Sequence, residues 1–215
     1  MTIWVALLGA ESTGKSQLSN ELAAHLQSLG LRAVAIPETL RSWCQSAGRA
    51  PHPHEQLAIA REHERLVDAA AADADVVIAD TTALMVAIYA GMLFEDGDLY
   101  RFAIERQRRY HATLVTGLDL PWVPDGLQRD ATQPREEVDT LVRSLLQRAG
   151  IGYQVVYGQG SQRLQGAIAA LRPLGLLPAA PQPQADTGKP WAWNCDKCSD
   201  PACEHRLFTR LVKQR

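Results

Sequence analysis

Apolar positions along this chain recur with two alternating periods. Residues 3–8 form a short continuous apolar run, and residues 15–29 then place Leu18, Leu22 and Leu26 at helical spacing before Gly30 stops the helix. The first predicts a buried strand and the second an amphipathic helix. Residues 32–36 read as a second strand that delivers Pro37-Glu38-Thr39-Leu40-Arg41 at its carboxyl end. Residues 55–73 are strong helix formers, and residues 74–80 form an apolar run that closes on Asp80, as a buried parallel strand would.

The remaining pattern continues the alternation. Helices are predicted over 82–93 and 98–109, and a fourth strand over 111–118. A helix over 135–148 follows, with Val138, Leu141, Val142, Leu145 and Leu146 on one face behind Pro134. Residues 153–157 read as a fifth strand, and a last helix runs from the turn at Gly158 and Gly160 to about Leu171. Strands separated by helices imply right-handed crossovers and a parallel sheet covered on both faces, with ligands collected at the strand carboxyl ends. Prolines at 173, 178, 181, 183 and 190 break any further helix and predict a semi-rigid linker. The expected organisation is therefore a main domain over 1–172, a linker over 173–190 and a tail over 191–215.

Charge adds little to this picture. The 22 basic and 24 acidic residues of the 215 leave a formal charge of -2, so no whole-chain field points to nucleic acid or to an anionic membrane. No run approaches the roughly 18 apolar residues a membrane span needs. The N-terminus carries no basic leader, and a cleaved signal would remove the motif described next, so the expected location is the cytoplasm.

The motif is Gly9-Ala10-Glu11-Ser12-Thr13-Gly14-Lys15-Ser16, G-x-x-x-x-G-K-S between a predicted strand and a predicted helix. In that setting backbone N–H groups converge on phosphate oxygens at a helix N-terminus. Residues 9–17, Gln17 included, are expected to hold the phosphates of ATP, with Lys15 on the β and γ groups and the Ser16 hydroxyl on Mg²⁺. Asp80, closing its strand, is placed to support the same metal, or alternatively to cap the following helix. Glu38 is the candidate general base for an acceptor hydroxyl, and Arg41, three residues on, either clamps a polar acceptor with it or forms an ordinary surface ion pair. Arg129 and Arg135, beside the segment after the fourth strand, either meet charge developing on the transferred phosphoryl or are solvated helix-end charges. The fold class expected is a three-layer αβα P-loop NTPase with a five-stranded parallel sheet, of nucleoside or nucleotide kinase type.

Several segments together resemble the ribosylnicotinamide kinase domain of the bacterial bifunctional NAD-biosynthesis regulator, a P-loop nucleoside kinase. They are GAESTGKS at 9–16, PETLR at 37–41, ADTT at 79–82, DLPWVPDGLQRD at 119–130 and PREEV at 134–138. The resemblance covers about residues 1–172. It implies ATP-dependent phosphorylation of nicotinamide riboside to nicotinamide mononucleotide, with an arginine-bearing lid after the fourth strand. Asp119, Trp122 and Asp125 then become acceptor-side candidates. Trp122 either stacks on a flat ring or packs in the lid, and the two aspartates either bind acceptor or stabilise the lid.

The tail departs from that resemblance. Cys195, Cys198, Cys203 and His205 give the spacing C-x2-C-x4-C-x-H, with ligands of the number and softness that suit a structural Zn²⁺. A redox-active Cys195/Cys198 pair and unliganded thiols are the alternatives. A rival reading of the whole chain makes it a regulatory ATPase or GTPase whose tail docks a protein partner. Another keeps the fold but takes a nucleoside monophosphate or another nucleoside as acceptor.

Overall fold

A computed structural model describes residues 1–91, 97–123 and 135–176. Five strands, β1 (Ile3–Leu8), β2 (Ala33–Ile36), β3 (Val76–Asp80), β4 (Ala112–Thr116) and β5 (Gln154–Val156), form one sheet in the order β2-β3-β1-β4-β5. Every pairing is parallel. The helices are α1 (Lys15–Ser28), α2 (Thr39–Ala47), α3 (Pro53–Ala70), α4 (Ala83–Tyr89), α5 (Asp98–Gln107), α6 (Arg135–Arg148) and α7 (Gly160–Leu171).

Side-chain alternation along β1 builds the three layers. Val5 and Leu7 point to one face, where Leu18, Leu22 and Leu26 of α1 and Ala167, Ala170 and Leu171 of α7 complete a core. Leu8 points to the other, into a cluster closed by residues of α3, α4, α5 and α6. Trp4 and Ala6 pack on that second side with Val67 of α3 and Tyr110. Burying a leucine such as Leu22 or Leu26 contributes about 1.5–3 kcal/mol, so the leucine stripe alone anchors α1.

Three helices depart from the sequence expectation, the first of them at the site. The PETLR segment, to which the sequence pattern assigned no element, opens a helix: Glu38 is the N-cap of α2, which ends at Gly48 in the left-handed conformation, φ 66°. In addition, α3 starts at Pro53 rather than at residue 55, because His52 and Glu55 form a reciprocal capping box with the Glu55 carboxylate accepting from the His52 N–H at 2.7 Å. The helix expected over 82–93 is helical from Ala83 to Tyr89.

The sheet order fixes where a ligand can sit. From β1 the chain turns to β2 and β3 on one side and later to β4 and β5 on the other, so a crevice opens at the carboxyl end of β1. The loop leaving β1 there is the glycine-rich motif. Among the described residues, no helix is long and apolar enough to cross a membrane.

Candidate active site

The glycine-rich loop is shaped by close backbone approach. Gly9 has φ 141°, and a Cβ there would lie 2.3 Å from the Thr116 hydroxyl and 3.1 Å from its carbonyl. Only glycine lets β4 pass so near. The Thr13 hydroxyl donates to the Ala10 carbonyl at 2.7 Å and lies 2.6 Å from the Thr116 hydroxyl, so the loop folds on itself and leans on β4. Gly14, with φ 76°, is the N-cap of α1 and offers no side-chain cap, and the first turn of α1 has no acidic residue. The first-turn N–H groups of α1 and the positive end of its dipole face the loop, an anion cradle.

Lys15 is buried at 8% exposure, and its ammonium donates to the Ala10 carbonyl at 2.7 Å, folded over the loop. Ser12 reaches the Val123 carbonyl at 2.6 Å. Residues 12–17 line a cavity of about 530 Å³ together with Arg41, Leu120, Pro121, Val123 and Gln159. Glu11 is half-buried, whereas Gln17 is exposed and donates to Glu21 one turn on.

Asp80 and Glu38 meet this loop from adjacent strands. Ile36 of β2 pairs with Ala79 of β3, so the two acids leave neighbouring strands at the same edge, and both are buried, Asp80 at 2% and Glu38 at 4% exposure. Burial pushes the Asp80 carboxyl above its ordinary value, the neighbouring Glu38 pushes the same way, and a hydrogen bond from Ser16 with the charges of Lys15 and Arg41 opposes both. One Asp80 oxygen, Oδ1, is buried with no hydrogen-bond partner. A desolvated carboxylate with an unused oxygen beside a serine hydroxyl and a phosphate cradle fits a hard divalent cation such as Mg²⁺, which takes few protein ligands and completes its shell with phosphate and water. Arg41 sits in the first turn of α2 with its Nε 3.3 Å from Glu38 Oε2, the i,i+3 geometry of a helix face, and is also part of the cavity wall.

Other predicted residues fall differently. Both Asp119 oxygens have protein partners: Oδ1 accepts from Arg163 at 2.6 Å and Oδ2 from the Gly158 N–H at 2.6 Å. The Arg135 guanidinium donates twice to the Leu120 carbonyl at 3.1 Å, bracing the start of the segment after β4. Trp122 is 56% exposed. Asp125, Arg129 and the quartet Cys195, Cys198, Cys203 and His205 lie outside the described residues. Among the described residues no group of three or more His, Cys, Asp or Glu side chains could hold a metal by itself.

Two residues without a sequence signal complete the frame. Arg163 of α7, 4% exposed, joins three segments: Nε to the Gly158 carbonyl at 2.7 Å, Nη2 to Asp119, and Nη1 to the Thr13 carbonyl in the glycine-rich loop. His63 of α3, 1% exposed, lies between Thr39 and Thr81. A lone arginine or histidine inside a helix carries no motif, and nothing in the linear pattern marks either one.

A parallel αβα sheet with this cradle at the carboxyl end of its central strand defines a P-loop nucleoside triphosphate-binding protein. The comparisons give the family: the AAA domain family model matches residues 4–163, and the chain belongs to that family. No curated protein matches it in sequence. Among solved structures it is similar to NadR protein in complex with NAD and AMP-PNP, with a TM-score of 0.63 and 17% identity over 83% of this chain. It is likewise similar to NadR protein in complex with NR, at TM-score 0.62 and 18% identity over 80% of the chain. The chain spans about half of each NadR chain, 51%. A thymidylate kinase from Ehrlichia chaffeensis matches at TM-score 0.53 and 14% identity, over 80% of this chain and 98% of that one. These likenesses establish a kinase-like P-loop fold.

Proposed function

We propose that this protein is a phosphotransferase that moves the γ-phosphoryl of ATP to a hydroxyl of a small nucleoside, with nicotinamide riboside as the leading acceptor and nicotinamide mononucleotide as the product. The observation that carries this reading is the arrival of a second buried carboxylate, Glu38, at a nucleotide cradle that already has its own acid in Asp80. The hydroxyl that attacks the γ-phosphoryl must lose a proton, and Glu38 is the buried carboxylate placed to take it. A hydrolase uses such an acid on water, so acceptor dependence separates the two readings.

The roles follow from placement. The loop N–H groups and Lys15 hold the donor phosphates, and Ser16 and Asp80 would hold Mg²⁺, which would neutralise phosphate charge there. Glu38 accepts the proton of the acceptor hydroxyl as the new P–O bond forms, and Arg41, ion-paired to Glu38 and bordering the phosphate cavity, orients that carboxylate and adds positive charge near the moving group. Positioning and electrostatics do the work, with no covalent intermediate. NadR protein, whose fold this chain shares, has been crystallised with NR and with NAD and AMP-PNP, which supports the choice of acceptor. Arg129 in the segment after β4 and a Zn²⁺ on Cys195, Cys198, Cys203 and His205 are part of the proposal on sequence spacing alone.

Acceptor dependence tests the reading. ATP consumption should rise sharply when nicotinamide riboside is added and stay near background without it. A rate that no nucleoside changes would identify a regulatory NTPase instead. Because the thymidylate kinase fold is also similar, nucleoside monophosphates belong in the same panel, and stimulation by them alone would move the acceptor to that class.

A further inference from the structure

Glu38 and Asp80 belong to different crossovers, and a single side chain between them ties their segments together. The His63 Nε2 lies 3.1 Å from the Thr81 carbonyl, and Nδ1 lies 2.9 Å from the Thr39 hydroxyl. A carbonyl only accepts, so Nε2 carries the proton. Burial holds the ring's pKa below its ordinary value and favours the neutral form, in which Nδ1 accepts from the Thr39 hydroxyl. Thr39 directly follows Glu38, and Thr81 directly follows Asp80.

Thr81 also needs holding. It is a β-branched residue at φ 71°, a left-handed conformation that such side chains seldom adopt, and it lies one residue beyond Asp80. Its N–H donates to the Leu7 carbonyl at 3.0 Å and its carbonyl accepts from His63. The strained residue is thus pinned from both sides. Next along the chain, Glu64 accepts from the Ala83 N–H at 3.1 Å, and Thr82 donates to Gln107 at 2.7 Å, so α3 and α5 fix the exit from β3 as a unit.

We propose that His63 is a positioning residue that sets the separation of the acceptor-side acid Glu38 from the metal-side acid Asp80. It touches neither substrate nor metal. It acts through one hydrogen bond toward each acid's neighbour, so its two arms affect different measurements. The inference rests on the kinase reading for its Glu38 arm and on the nucleotide–metal cradle for its Asp80 arm.

The experiment compares the parent with His63→Phe, which removes both arms, and Thr39→Val, which removes one. Three quantities are measured: the Mn²⁺ midpoint of protein loaded with AMP-PNP, followed by electron paramagnetic resonance; the metal-free affinity for the same nucleotide; and kcat and KM with a responsive nucleoside. For His63→Phe the Mn²⁺ midpoint should rise about tenfold or more, because outer partners of metal ligands commonly affect affinity on that scale. Its kcat should fall roughly a hundredfold, as misplacement of a reacting group by about an ångström does. Thr39→Val should lower kcat about tenfold while leaving the Mn²⁺ midpoint at the parent value. Metal-free nucleotide affinity should be unchanged in both.

A folded His63→Phe variant with the parent's Mn²⁺ midpoint overturns the inference. So does a Thr39→Val variant that shifts midpoint, nucleotide affinity and kcat together, which is the mark of a purely structural residue. If His63→Phe fails to fold, His63→Asn takes its place: its shorter amide serves Thr39 but does not reach the Thr81 carbonyl, so its Mn²⁺ midpoint should still rise, and a folded His63→Asn with the parent's midpoint overturns the inference. A parent that transfers phosphoryl to no acceptor defeats the kinase reading alone, because the Mn²⁺ midpoint still decides for or against His63.

Discussion

Replacing Arg163 with alanine should damage the phosphate cradle from behind. Its guanidinium is buried and donates to the Gly158 carbonyl, to Asp119 and to the Thr13 carbonyl of the glycine-rich loop. Asp119, with about a third of its side chain exposed, can turn to water, so its lost ion pair contributes little. The two carbonyls are the larger loss. Hydrogen bonds to a charged donor contribute about 1.5–3 kcal/mol each, and partial solvation of the vacated space reduces their sum, so the expected destabilisation is about 2–4 kcal/mol.

The functional consequence is a slack loop, because the Thr13 carbonyl loses its link to α7. Nucleotide affinity should fall about tenfold or more, roughly 1.4 kcal/mol. Urea unfolding with an unchanged slope gives the stability term, and calorimetric titration with AMP-PNP gives the second. Arg163→Lys is the control. A lysine restores charge but not the planar fork that serves three acceptors at once, so it should recover only part of either loss. An Arg163→Ala variant within about 0.5 kcal/mol of the parent, with parent nucleotide affinity, would refute the tether.

Gly9→Ala should cost about 2–4 kcal/mol and abolish nucleotide binding, since its Cβ would collide with Thr116 at a backbone angle that glycine alone tolerates; thermal melting with and without nucleotide checks both. Asp80→Asn should raise the melting temperature of the nucleotide-free protein, by removing a buried charge that folding disfavours, while weakening Mg²⁺-dependent nucleotide binding about 10- to 100-fold. The pH dependence of stability follows from His63: its folded pKa is depressed below 6.5, so the unfolded chain takes up a proton first, and stability should drop as pH falls below about 6.5 despite the opposing charges of Glu64, Asp80 and Glu38. Urea midpoints at pH 7.5 and 5.5 should show a drop that is smaller in His63→Phe.

The strands and the nucleotide loop were legible because their signals are local. A continuous apolar run needs only its neighbours in sequence to be read as buried strand, and Gly9, Gly14, Lys15 and Ser16 carry their spacing on their face. Asp80 was legible for the same reason, as the acid ending a run of valine and isoleucine. The helix from Thr39 to Ala47 was not, because Pro37 and the polar residues around Trp43 and Cys44 resemble a loop until Glu38 is seen capping the first turn. That helix matters: it turns the three-residue spacing of Glu38 and Arg41 into a shared face. Asp119 is a different case: its motif left open whether it binds acceptor or braces the segment after β4, and its contacts with Arg163 and Gly158 span 44 and 39 positions. His63 and Arg163 depend wholly on such distant partners, so no local pattern could reveal them.

The most direct measurement is transfer of labelled γ-phosphoryl from Mg²⁺-ATP to nicotinamide riboside, with product resolved chromatographically, for the parent and for Glu38→Gln. The parent should produce labelled nicotinamide mononucleotide, and Glu38→Gln should bind ATP normally while losing transfer by about 10²-fold or more. Labelled inorganic phosphate as the sole product, at a rate indifferent to every nucleoside and unchanged in Glu38→Gln, would contradict the assignment of this site to a nucleoside kinase.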